Sequence, residues 1–281
     1  MSISPSHADV SLDDSSRLGG FAPQHGGTLY DLRKSLAMHG VWRFLAWKEI
    51  ARQYHRTVLG VVWLPLSVAI HVLTLGYIFS RLFGGDRYLP WFALGYSIWR
   101  TVSRAAGEAA DLWFSSEKYL RHLAVPMHTF IFKLVLKCGY SALLTVPVGL
   151  AIAINAGARP GVVGFLAIPG FVLLLLNLWW MITVFSLLCL RFPDLGKFMP
   201  NLITLAYLGS PIMWQPERLG DRRWIADYNP FFHLIELVRA PLLGSPPTET
   251  TLLVAGGFAL AGHAAALVLF RMARRRIVLW L

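Results

Sequence analysis

Between Val41 and Leu66 the polarity pattern of the chain changes once, and sharply. At helical period, Phe44, Trp47, Ile50, Ala51 and Tyr54 fall on one side of a helix. Lys48, Arg52 and Arg56, spaced i, i+4, i+8, fall on another side, with Glu49 and Gln53 beyond them. This pattern predicts a basic amphipathic helix lying in a membrane interface, rings in the acyl boundary and cations among headgroups. From Val58 the sequence is apolar without a break, long enough to cross a bilayer, so the chain turns near Thr57 and Gly60 and enters the membrane.

Further apolar runs follow in order. The expected spans are 58–83, 89–112, 131–154, 162–190, 198–213 and 251–270. GGDRY at 84–88, NAGARPG at 155–161 and RFPDLGK at 191–197 read as connecting turns or short loops, and Pro211 marks the end of the brief fifth span. WFSSEKYLRHLAVPMHTF at 113–130 is polar and helical up to Pro126. Residues 214–250 hold two half-length apolar pieces, too short to span with their charges, which read as re-entrant or surface helices capping one side. The expected fold class is an all-α integral membrane protein of six transmembrane helices. Its parts are a disordered cytoplasmic tail at 1–28, an interfacial region at 29–57, a transmembrane domain at 58–270 and a basic tail at 271–281.

Composition agrees with the pattern. Of 281 residues 56% are hydrophobic and 15% charged, well below the share of charge in soluble domains. The net charge of +11 has two readings, nucleic-acid binding or the positive-inside bias of a membrane protein, and the apolar runs favour the second. With the N-terminus in the cytoplasm, that side holds seventeen Lys and Arg residues against seven on the other, leaving Arg100 and Arg104 inside the second span. Both termini are then cytoplasmic. Cys138 and Cys189 both lie in apolar runs, which argues against a disulfide framework or a zinc site. Residues 1–28 contain no apolar stretch of signal-peptide type, so the first span is expected to direct insertion.

Four pieces of sequence carry a family resemblance. They are WKEIARQYHRTVLGVVW (Trp47–Trp63), EKYLRHLAVP (Glu117–Pro126), LRFPDLGKFMPNLITLAYLGSPIMW (Leu190–Trp214) and NPFFHLIELVRAPLLG (Asn229–Gly244). In this order and spacing the chain resembles the permease subunit of type-2 ABC exporters for polysaccharides, the Wzm, KpsM and TagG group. The resemblance implies a homodimer of six-helix subunits paired with two copies of a separate ATPase of Wzt or KpsT type in the bacterial inner membrane. It implies export of a lipid-linked glycan, typically on an undecaprenyl pyrophosphate carrier. It matches the segment 115–127, with Ser116, Glu117, Lys118, Tyr119, Arg121 and Pro126, to a coupling helix that docks into the ATPase. The pieces within 214–243 match gate helices on the far side.

The chemistry visible in the residues fits a transport subunit. No P-loop is present, since Gly196 and Lys197 are followed by Phe198 and the first glycine position holds Arg191. ATP and Mg²⁺ are therefore expected in the partner, with no cofactor, metal or catalytic group in this chain and no nucleic acid among its partners. Lys48, Arg52 and Arg56 are candidates for the carrier headgroup, because Arg presents a forked donor set to phosphate oxygens; the other reading is general anchoring on anionic lipid. Arg100, Arg104 and Glu108, one helical turn apart, either line a path or vestibule or pair with one another. Trp63, Tyr96, Trp99 and Tyr207 are further pore-lining candidates, since sugar C–H faces stack on aromatic rings. Trp91, Trp214 and Trp224 read as interfacial belt residues, and His71, His233 and His263 as packing histidines. Two other functions remain open: a type-2 ABC permease for a small drug or lipid, and a polytopic enzyme acting on polyprenyl-linked sugars.

Overall fold

A computed structural model describes residues 27–83, 87–122 and 125–281, with the side chains of Phe83, Arg121, His122 and Val278 left out. Of the tail expected at 1–28, residues 1–26 lie outside the described residues, and Thr28 already begins a helix; most of the 84–88 turn, Leu123 and Ala124 of the 115–127 segment and the side chain of Arg121 also lie outside them. Among those residues all regular structure is helical. Two short helices come first, α1 (Thr28–Ala37) and α2 (His39–Tyr54). Gly60 adopts a positive φ of 56° in the turn that follows, and α3 (Trp63–Phe83) comes next. α4 (Tyr88–Ala110), α5 (Leu112–His122), α6 (His128–Asn155), α7 (Ala167–Arg191) and α8 (Pro193–Gly209) come next. The chain ends with α9 (Trp224–Asp227), α10 (Pro230–Leu242), α11 (Glu249–Ala273) and α12 (Ile277–Trp280).

Four stretches are long and apolar enough to cross a membrane: Gly60–Leu82, His128–Asn155, Val162–Arg191 and Glu249–Ala273. They agree with the first, third, fourth and sixth expected spans. α4, the second, has the length to cross at 23 residues, but Arg100, Arg104 and Glu108 lower its hydropathy. The fifth expected span is shifted: residues 191–197 are not a loop. Phe192 alone interrupts the helices, Pro193 opens α8 at a position where its missing N–H costs nothing, and α8 stops at Gly209, before Pro211. α8 has 17 residues.

α4 is the centre of the bundle although it is the most polar of the long helices. It packs against α3, α6, α7, α8 and α10, and 15 of its 23 residues are buried. Small residues make this possible. Ala105, Ala106, Ala109 and Ala110 let neighbouring backbones approach, as does Gly149 of α6, where a Cβ would lie 2.1 Å from Ser97 Oγ. α7 lies beside α4 and carries α11 on its outer side. There Gly262 passes so close to Trp180 that a Cβ would sit 2.2 Å from the indole. α10 packs on both α7 and α4, tightly enough that a Cβ at Gly170 would meet the Leu237 carbonyl oxygen at 2.1 Å. The half-length piece at 229–243 is thus a helix of the core. The piece before it is a short turn of 3₁₀ helix and the four residues of α9, mostly exposed.

Candidate functional site

α2 lies against α6, where Trp42 meets Phe132 and Trp47 meets Tyr140, ring centroids 5.8 Å and 6.1 Å apart. Its buried side chains are Ala46 and Ile50, whereas Phe44 and Trp47 are 58% and 59% exposed. The side turned towards the bundle includes Glu49 and Gln53, which the periodicity had set beyond the cations. Glu49 Oε2 pairs with Lys133 Nζ at 2.8 Å and Oε1 with Lys137 Nζ at 2.7 Å, both lysines being on α6. Lys137 also pairs with Glu108 Oε2 of α4 at 2.8 Å. Glu108 Oε1 accepts from Arg104 Nε at 2.8 Å, and Arg104 Nη2 donates to Gln53 Oε1 at 2.7 Å. A chain of alternating charge thus joins α2, α4 and α6. Burial alone would push the Glu49 carboxyl up; the Lys133 and Lys137 ammoniums outweigh it and hold it at about 2.

Of the candidates in α4, Arg104 and Glu108 belong to this network and pair with each other. Arg100, one turn earlier, is exposed. Lys133 and Lys137, counted from sequence as cytoplasmic flank charges, are 7% and 5% exposed. Their i, i+4 spacing at the start of an apolar helix was the available signal. Lys48, Arg52 and Arg56 are all exposed. The three do not form one helical stripe, because α2 ends at Tyr54 and Arg56 lies in the turn beyond it. Lys48 lies over the Phe44 ring at 5.1 Å, leaving the aromatic and cationic sides of α2 in contact.

One helix earlier, Asp31 makes a second junction with α6, which sequence reasoning missed. Its carboxylate accepts from the backbone N–H of Met127 and of His128, each at 3.1 Å, and lies 2.6 Å from His128 Nδ1. These amides open α6 and have no partner within the helix, so Asp31 caps α6 from another element. Burial pushes its carboxyl up, but the bonds from His128 and Met127 outweigh that and hold it below the ordinary carboxylate range. Thr129 Oγ1 donates to Ser35 Oγ at 3.3 Å, and Trp42 Nε1 to the Ser35 carbonyl at 3.1 Å. The His128 ring lies 4.0 Å from Phe270 and stacks on Trp179, which in turn stacks on His263.

α5 precedes that junction. Ser116 and Pro126 are buried within the chain, while Lys118 and Tyr119 face outward with Phe114 and Ser115. Glu117 is half-buried. At the junction of α4, α5, α7 and α8 lies a cavity of about 350 Å³ lined by Asp111, Phe114, Cys189 and Lys197, among others.

Three of the four aromatic candidates come together. Tyr207 of α8 meets Tyr96 and Trp99 of α4 at 6.2 Å and 6.1 Å, Trp99 meets Phe231 at 5.7 Å, and His71 of α3 stacks on Tyr96 at 4.0 Å. Trp99 is 4% exposed, a core residue. Trp63 opens α3, 43% exposed, and no ring contact among the described residues joins it to the others.

Arg239 of α10, one of the seven cations counted on the far side, was also missed as a site residue. It is fully buried. Its Nε and Nη2 donate to Glu236 Oε1, its Nη1 donates to the Pro211 carbonyl at 2.8 Å, and the guanidinium lies 3.4 Å over Trp91. Trp91, partly buried, thus makes an internal contact. His233, as expected, is a packing group: its ring nitrogens meet Thr251 Oγ1 at 3.1 Å and the Asp227 carbonyl at 2.8 Å. Asn229 caps α10 and also reaches the Gly209 carbonyl at 3.1 Å, tying the end of α8 to the start of α10.

The chain is 22% identical over 192 residues to the O-antigen export system permease protein RfbA of Klebsiella pneumoniae, covering 67% of this chain and 74% of that one. A second protein of that name from the same organism is 21% identical over an equal length. Residues 41–243 match the model of the ABC-2 type transporter family, from the start of α2 to the end of α10. The chain belongs to the ABC-2 type transporter family and is a multi-pass membrane permease.

Proposed function

We propose that this chain is the transmembrane subunit of an ATP-driven exporter that moves a lipid-linked polysaccharide from cytoplasm to periplasm. It works as a homodimer in the bacterial inner membrane, both termini cytoplasmic, with two copies of a separate ABC ATPase holding the ATP and Mg²⁺. The observation that carries the substrate class is the similarity to two O-antigen export permeases along two thirds of the chain. The partner follows from the family and from the absence of a P-loop in the sequence.

Three surfaces have roles in this reading. Lys48 and Arg52 on the exposed side of α2, with Arg56 in the turn behind, meet the pyrophosphate of an undecaprenyl carrier at the headgroup plane, where the exposed Phe44 and Trp47 reach the acyl boundary. α5 docks on the ATPase. Ser116 is turned inward, so contact falls to Lys118 and Tyr119, with Glu117 and Pro126 shaping the segment and Arg121 kept as a candidate on the family resemblance. The stretch between Trp214 and Asn229 gates the far side, α10 being held in the core. Trp63, Tyr96, Trp99, Arg100 and Tyr207 remain candidates for the sugar path, Arg100 being the exposed cation among them.

The test is to co-purify the chain with its ATPase in lipid nanodiscs and measure ATP hydrolysis. Added undecaprenyl pyrophosphate-linked glycan should raise the rate, and small amphiphilic drugs or plain phospholipid should not. Stimulation by a drug alone, or glycan turnover by the isolated chain, would overturn the assignment.

A further inference from the structure

α1 is docked by polar contacts. Its buried side chains are Asp31 and Ser35, and both bond to residues 127–129. That is the point at which the chain returns from α5 to enter α6. A buried carboxylate is a poor source of stability compared with leucine, because removing it from water costs several kcal/mol of order, but it fixes register. Here it fixes α1 to the first amides of α6. Two turns further along α6, Glu49 repeats the arrangement for α2 through Lys133 and Lys137. Between the two junctions Trp42 packs on Phe132, rings 5.8 Å apart.

We infer that Asp31 is a positioning residue for coupling: by clamping α1 to the α5–α6 return, with Glu49 as a second clamp, it makes the interfacial helices move as one body with α6. Displacement of α5 by a partner then shifts the cationic side of α2 directly, without passing through the membrane-spanning core. This rests on the reading above that α5 docks on an ATPase. α2 does not lift away to open a path, since that would strand Lys133 and Lys137 against Glu108 alone.

Spin labels at Ala37 and Ser115, both exposed, in a chain with Cys138 and Cys189 replaced by alanine and diluted with unlabelled subunits, read the α1–α5 distance. In the isolated permease the distribution should be narrow, and Asp31→Asn should lose that narrowness. In the ATPase complex the distance should stay the same between nucleotide-free and ATP–vanadate states. A distance that changes between those states, or an Asp31→Asn distribution as narrow as the parent's, overturns the clamp. A chain that never co-purifies with an ATPase sinks the coupling role together with the reading it rests on. If Asp31→Asn does not fold, amide exchange at Met127 and His128 in the unaltered complex decides: slow exchange in both nucleotide states supports the clamp, and fast exchange in either overturns it.

Discussion

The guanidinium of Arg239 lies 3.4 Å above the ring of Trp91, joining α10 to α4 through a charge with no exposed surface. Its donors are taken by Glu236 and the Pro211 carbonyl, so the group is satisfied on its edge and on its face. Replacing it with leucine leaves Glu236 facing an apolar space and orphans a carbonyl. Arg239→Leu should therefore cost about 3–5 kcal/mol, the range for breaking one side of a buried ion pair. Removing both partners in Arg239→Leu/Glu236→Leu should recover most of that loss. Thermal denaturation followed by size-exclusion recovery reads the difference. A double variant no more stable than the single one would show that the Pro211 and Trp91 contacts, not the ion pair, hold α10.

Glu49 gives a pH prediction of definite sign. Its carboxyl is held at about 2 in the folded chain, below its ordinary value of 4.5. Such a group contributes stability that is complete above the unfolded value and disappears as pH falls through the folded one. Glu49→Gln should cost about 1–3 kcal/mol at pH 7, the range for unpairing a charged hydrogen-bond partner. The gap between parent and variant should be constant from about pH 8 down to about 5, then close as pH falls from 4.5 towards about 2. Melting curves of the two proteins across that range test it. A gap that widens on acidification would mean that Glu49 is not paired to the lysines.

The apolar runs were legible because an uncharged stretch of span length has few stable settings besides a bilayer. α3, α6, α7 and α11 emerge where the sequence put them. What failed was local. RFPDLGK at 191–197 has the composition of a loop, but proline is tolerated at the first helical position, and only Phe192 leaves helical geometry. How α2 meets the bundle was not legible, for a different reason. Periodicity finds an aromatic side but cannot say whether it meets lipid or protein, and in a membrane the outward side can be the apolar one. Glu49 and Gln53 turn towards the bundle because Lys133, Lys137 and Arg104 wait there, far away in sequence. Asp31 was unreadable for the same reason, since its partners, the amides of Met127 and His128 and the His128 ring, lie 96 and 97 residues further along the chain.

Two glycines separate close packing from mere flexibility. A Cβ at Gly170 would stand 2.1 Å from the Leu237 carbonyl oxygen, a backbone atom that moves only if α10 moves. Gly256 on α11 has nothing within 4 Å. Gly170→Ala should destabilise by about 1–3 kcal/mol through overpacking. Gly256→Ala should be neutral, or stabilise by up to about 1 kcal/mol through helix propensity. Parallel melting of the two variants checks the contrast. Equal effects would mean that the α7–α10 contact has slack.

The outward face of α5 supplies the most direct functional prediction. Lys118 and Tyr119 are exposed beside Phe114, while Leu120 and Ser116 are turned into the chain. An interface with an ATPase would use the exposed set, and a charge reversal there opposes docking without unpacking the helix. Lys118→Glu combined with Tyr119→Phe, which keeps the ring contact of Tyr119 with Phe130, should leave the permease's own stability within about 0.5 kcal/mol of the parent, as for other surface changes. Recovery of the ATPase on an affinity-tagged permease should fall about tenfold or more, corresponding to at least about 1.4 kcal/mol of binding. Quantitative co-purification measures the second effect and thermal denaturation the first. Undiminished recovery would exclude these two side chains from the contact, and a fall in both readouts would mean that they hold α5 itself in place.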